Sequence, residues 1–61
     1  MPIITVQARA LDLEKKRKLA QGITDLAVEA YSLPAQDIVV LIQEYPAENV
    51  AVAGELIADR I

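Results

Sequence analysis

Two β-branched runs separated by one helix-length stretch constrain this chain more than any other feature. Ile3-Ile4-Thr5-Val6 comes first, and Ile38-Val39-Val40-Leu41-Ile42 follows well downstream. Residues of this kind fit the pleated, half-buried surface of a strand. The first run predicts a strand over residues 2–9, with Thr5 and Gln7 giving partial alternation and Arg9 at its far end. The second predicts a strand over residues 37–44, and its unbroken apolar character is that of a strand buried on both faces. Between them Asp12 is placed to cap a helix, and Glu14 suits the first turn of one. Leu19, Ile23, Leu26, Ala27 and Ala30 then recur at helical spacing as one apolar stripe. The helix is expected from residue 13 to residue 31. Ser32-Leu33-Pro34 ends it, because the residue before a proline avoids the helical region. Gly22 falls inside at a cost of about 1 kcal/mol relative to alanine, which reads as a point of close packing. Strand, helix and strand in this order make a crossover that pairs the two strands in parallel.

Beyond the second strand, Tyr45-Pro46-Ala47-Glu48-Asn49 has turn chemistry. Val50-Ala51-Val52 and Glu55-Leu56-Ile57 flank Ala53-Gly54 and predict a small hairpin. The expected architecture is α+β, a βαβ unit with parallel strands and a C-terminal β-hairpin, in one domain over residues 1–61. Neither a two-stranded sheet nor a lone hairpin is stable in water. Sixty-one residues lie near the lower limit for folding alone, yet 54% of them are apolar. Without cysteine or histidine, a disulfide or a thiolate or imidazole metal site is ruled out. Association with other copies is the staple that remains. The chain is therefore expected to be an obligate oligomer, with the hairpin against a neighbouring subunit.

A net charge of −3, with no basic patch interleaved with aromatics, argues against a nucleic-acid partner. No apolar stretch approaches the roughly 20 residues of a membrane span, and no charged segment leads into a signal-like apolar one. A cytoplasmic location without a membrane partner is the expectation. Lys15-Lys16-Arg17-Lys18 is rotated around the helix axis and reads as a solvated face, and Arg17 and Arg60 read as surface charges.

Chemistry enters at Pro2. A small second residue usually lets the initiator methionine be trimmed, which leaves the Pro2 nitrogen as a free secondary amine. With Met1 retained, that nitrogen is a tertiary amide with neither basicity nor a proton. Proline is also tolerated at the first residue of a strand for purely structural reasons. Pro2 alone therefore does not decide the matter.

The Met1-Pro2-Ile3 start, the helix closing near Leu33-Pro34, the Ile38-to-Glu44 strand and the stretch from Pro46 to Leu56 together resemble the 4-oxalocrotonate tautomerase family. The resemblance covers essentially the whole chain. It implies a homohexamer, a trimer of dimers in which two βαβ units build a four-stranded sheet. It implies that the amino-terminal proline is general base and then general acid, moving a proton between an enol oxygen and a carbon of a 2-hydroxy-dienoate. Arginines, some from neighbouring subunits, hold the substrate carboxylates, and a phenylalanine in the late turn keeps the pocket dry. No metal or organic cofactor is implied. The chemistry is reasonable, since a free α-amine titrates at about 7.7–8 in short peptides. An apolar pocket or nearby cations lower that value, towards the operating pH that suits a proton shuttle.

Against that family pattern, the site has changed. The strand-to-helix loop reads Arg9-Ala10-Leu11-Asp12, one residue shorter, with Leu11 or a deletion at the position of the family's first arginine. Arg9 is the nearby guanidinium that could hold a carboxylate. Val39 stands at the second arginine position and Val50 at the aromatic one, both as pocket-lining positions, and Tyr45 could line the pocket as well. Losing a bidentate clamp removes strong charge-assisted hydrogen bonds. The substrate is thus expected to be a small monocarboxylate enol of the aryl- or alkyl-enolpyruvate type, isomerised between keto and enol forms. The competing expectation is a non-catalytic oligomeric βαβ module that has lost the activity. Addition of water to an unsaturated or halogenated acid is a third, and it calls for further polar groups to orient the water.

Overall fold

The computed structural model describes residues 1–60, so the last residue of the expected 1–61 unit lies outside the described residues. The element order is β1 (Ile3–Ala8), α1 (Leu13–Tyr31), β2 (Val39–Glu44), β3 (Ala51–Val52) and β4 (Glu55–Leu56). β1 and β2 pair in parallel from Ile3↔Val39 to Ala8↔Glu44. β3 and β4 pair antiparallel, Ala51 with Leu56 and Val52 with Glu55. This is the α+β architecture expected, a parallel βαβ unit followed by a C-terminal hairpin.

Asp12 caps α1 as anticipated: its Oδ1 accepts from the Lys15 N–H at 2.8 Å. At the other end Ser32 turns into the left-handed region (φ 55°) and the helix stops. β2 begins two residues later than expected. The reason is a 3-10 turn over Ala35–Asp37, closed by Asp37 N–H to Pro34 O and Ile38 N–H to Ala35 O, both 3.0 Å. β1 is trimmed to Ile3–Ala8 because Pro2 has no N–H to donate, while its carbonyl still accepts from Val39 N–H at 3.1 Å. The hairpin turns through Ala53 (φ 54°) and Gly54 (φ 82°). Two successive positive φ values are what a tight two-residue hairpin needs to match the twist of its strands.

Alternation along the strands sorts them into two faces. Ile4, Val6, Val40 and Ile42 are half-buried on the side of α1. The helix turns Leu19, Ala20, Ile23, Thr24, Ala27 and Val28 inward. Leu26 and Ala30, expected in the stripe, face outward instead, and Leu26 is 70% exposed. The sheet, through its contact with Ala27 and its neighbours, sets the helix phase. Lys16 also leaves the expected solvated face, since its Nζ meets Glu44 Oε1 at 2.9 Å. Arg17 pairs with Glu14, and Arg60 with Glu55, both at the surface. Gly22 is not packed closely within the chain: a Cβ there would meet nothing within 4 Å.

The other sheet face, with Ile3, Thr5 and Leu41, has no cover, so β2 is not buried on both faces as its composition suggests. Leu41 is 47% exposed, and only Ala27 and Ile38 are buried hydrophobics among the described residues. The accessible surface is 4736 Å², against about 3,900 Å² for a compact 6.6 kDa monomer. The radius of gyration is 14.8 Å, against about 10.5 Å for a compact chain of this length. A single copy is a flat, open object measuring 43 × 24 × 13 Å.

Candidate active site

The residues singled out from sequence fall at two ends of the parallel sheet. Pro2 is half-buried at the head of β1, and its carbonyl is held by Val39, whose neighbour across the ladder is Ile3. At the opposite end a pocket of about 420 Å³ opens between the sheet and the hairpin. Its walls include Gln7 and Arg9 at the end of β1, Tyr45 just past β2, and Asn49, Val50 and Ile57 at the hairpin base. Pro2 and Val39 therefore form one pair, and Arg9 and Val50 another. Six strand residues at ~3.3 Å each put the pairs about 20 Å apart.

The loop carrying Arg9 is tied down from below. Tyr45 N–H donates to Ala8 O at 2.9 Å and extends the ladder past its last pair. Glu44 points to the helix side and accepts twice, from Leu11 N–H through Oε2 at 2.8 Å and from Lys16 Nζ through Oε1 at 2.9 Å. The Leu11 N–H, with Lys16 second, holds the Glu44 carboxyl below its ordinary value. An acid lowered in the folded state adds stability above its unfolded pKa, and that contribution is lost as pH falls through the lowered value. Chemical denaturation should thus show wild-type stability falling more steeply than that of Glu44→Gln between about pH 6 and about pH 3. The effect should shrink in high salt, because the group is partly solvated. Parallel pH curves for the two proteins would mean that the carboxylate does not anchor the loop.

Arg9 is exposed, and among the described residues it has no carboxylate partner, in contrast to Arg17 and Arg60. Its guanidinium therefore lies at the pocket with its charge uncompensated. On the uncovered sheet face, Gln7 Nε2 donates to Gln43 Oε1 at 2.9 Å, and Tyr45 Oη donates to the same oxygen at 3.1 Å. Tyr45 is thus among the residues that line the pocket. Gln7, Asn49 and Ile57 were not singled out from sequence. Gln7 had one usable signal, its identity with the amide directly opposite, but that pairing emerges only once the register Gln7↔Gln43 is known.

A parallel βαβ unit of this size, with a proline ahead of its first strand and a hairpin closing a pocket at the far end, defines a narrow class. The chain belongs to the tautomerase family, whose model, described as tautomerase enzyme, matches residues 2–60. Among solved structures it is similar to DmpI from Archaeoglobus fulgidus, at 45% identity and a TM-score of 0.87, covering 95% of this chain and 100% of that one. It is similar to YwhB, a homologue of 4-oxalocrotonate tautomerase, at 31% identity and a TM-score of 0.90, covering 98% and 100%. A third likeness is to the 4-oxalocrotonate tautomerase isozymes from Methylibium petroleiphilum, at 30% identity and a TM-score of 0.88, covering 97% and 94%. No curated protein matches significantly. Among the described residues, no helix is long and apolar enough to cross a membrane.

Proposed function

We propose that the chain is a cofactor-independent keto–enol tautomerase for an enolpyruvate-type monocarboxylic acid. Pro2, freed by removal of Met1, is the base and then the acid. Its neutral amine takes the enol O–H proton as the carbonyl forms, and the ammonium returns a proton to the carbon. Atoms and charge balance without a co-reactant. The supporting observation is Pro2 standing at the head of β1 in a chain matched by the tautomerase family from residue 2 onward.

Arg9 holds the substrate carboxylate in this proposal. One chain does not suffice for that, because Arg9 and Pro2 lie at opposite ends of β1. Antiparallel pairing of β1 with the β1 of a second copy would bring Pro2 of one chain to the Arg9 end of the other and give a four-stranded sheet. Three such dimers make the proposed homohexamer, and the uncovered apolar sheet face supports further association.

The test is the ketonisation rate of phenylenolpyruvate by protein shown by intact mass to begin at Pro2, beside the same protein with Met1 retained. The trimmed form should act well above buffer and the untrimmed form should not. Val39 and Val50, standing where the family pattern has an arginine and an aromatic residue, favour the alternative of a scaffold without activity. Equal, buffer-like rates for the two forms would establish that alternative.

A further inference from the structure

We infer that Glu44 is a positioning residue: by holding the Leu11 N–H it fixes the backbone from which Arg9 meets the substrate carboxylate. This rests on the tautomerase reading and on the role that reading gives Arg9.

Arg9 opens the short link Arg9-Ala10-Leu11-Asp12 between β1 and α1. Both ends of that link are held. Ala8 O accepts from Tyr45 N–H at 2.9 Å, and Asp12 accepts from Lys15 N–H through Oδ1 at 2.8 Å and from Lys16 N–H through its carbonyl at 3.0 Å. Glu44 adds a hold between them, since its Oε2 accepts from Leu11 N–H at 2.8 Å. Arg9 and Ala10 are what lies between Ala8 and this hold. So short a span has few backbone conformations, and the long arginine side chain then starts from a fixed Cα. Glu44 is itself braced by Lys16 Nζ on Oε1 at 2.9 Å. Among the ion pairs of the described residues this is the best covered, with side chains 30% and 28% exposed against 48% or more in the others. It also joins α1 to the end of β2, whereas the others link near neighbours in sequence. Ala8 is the ladder partner of Glu44, so the carboxylate sits one residue from Arg9 and yet spends its charge on Lys16. By charge alone, a carboxylate here would repel an anionic substrate. Position and charge therefore act with opposite sign on binding, and the sign is measurable.

The experiment measures kcat and KM for phenylenolpyruvate with the trimmed, assembled wild type, Glu44→Gln, Glu44→Met, Arg9→Ala and the double variant Arg9→Ala/Glu44→Met. Glu44→Met loses both bonds and should raise KM about tenfold, the worth of one hydrogen bond to a charged group. Its kcat should change little, the pattern of a lost binding interaction. Glu44→Gln keeps an oxygen for Leu11 N–H and loses the ion pair, so KM should rise by about threefold. In the Arg9→Ala background Glu44→Met should leave KM where Arg9→Ala alone puts it, because the arginine to be aimed is gone. KM does not depend on how much of a preparation folds, and Glu44→Gln carries the test of sign if Glu44→Met fails to assemble. A KM that stays level or falls in the Glu44 variants would overturn the inference, as would equal rises with and without Arg9. A wild-type KM in Arg9→Ala would overturn it too, and would leave the role of Pro2 standing. No turnover of phenylenolpyruvate by the wild type would remove the tautomerase reading and this inference with it.

Discussion

Replacing Pro2 with alanine should lower the ketonisation rate of the trimmed protein by about a hundredfold, within the usual worth of a positioned general base. Keeping Met1 in front of Pro2 should lower it further. The order follows from the nitrogen each form presents. Trimmed wild type offers a secondary amine, trimmed Pro2→Ala a primary amine on a less restricted backbone, and the Met1 form an amide that holds no proton at all. Alanine retains a base and loses its placement. The amide loses the base itself. Stopped-flow loss of enol absorbance, with intact mass recorded for each preparation, separates these cases. Equal rates for trimmed wild type and Pro2→Ala would show that the proline ring is dispensable, and equal rates for the trimmed and Met1 forms would remove the amine of residue 2 from the mechanism.

A single glutamate in place of Leu41 should dismantle the protein. Within one chain Leu41 is 47% exposed, on the sheet face without a cover. Exposed substitutions in a self-sufficient monomer change stability by about ±0.5 kcal/mol. In an assembly that buries this face, an unpaired carboxylate costs about 3 kcal/mol or more. The chain has little to spare, with only Ala27 and Ile38 buried among the described residues. Sedimentation at micromolar concentration should give about six chains for the wild type, as the proposed hexamer requires. Leu41→Glu should give single chains with most of the helical circular dichroism lost. A variant that sediments and unfolds like wild type would show that the open face is simply solvated.

Much of this fold was legible from local chemistry. Asp12 announced the start of the helix, Pro34 its end, and Ala53-Gly54 the hairpin, because caps and turns depend on neighbouring residues. The errors occur where distant parts meet. Leu26 was assigned to the inner stripe, but the sheet sets the helix phase, and Ala20, Thr24 and Val28 turn inward instead. The composition of β2 suggested burial on both faces, and a single chain covers only the helix side, which leaves the other to a partner copy in the proposed assembly. Lys16 was read as solvated because its partner, Glu44, is distant in sequence. The site divides in the same way. Pro2 and Arg9 were visible as residue types in the right places. The amide–tyrosine network was not, since Gln7 and Gln43 become neighbours only through the parallel register.

The backbone bond from Val39 N–H to the Pro2 carbonyl has a consequence for catalysis on this reading. A histidine or glutamate base must freeze its side-chain torsions before it can act, at a cost in rotamer entropy that proline does not incur. Here the basic atom belongs to the main chain, inside a ring, one residue from a hydrogen-bonded ladder. Its direction is inherited from the sheet rather than chosen among rotamers. Proton transfer thus draws on the stiffness of β1, and substitutions that loosen the Ile3↔Val39 end of the ladder should act as changes in aim.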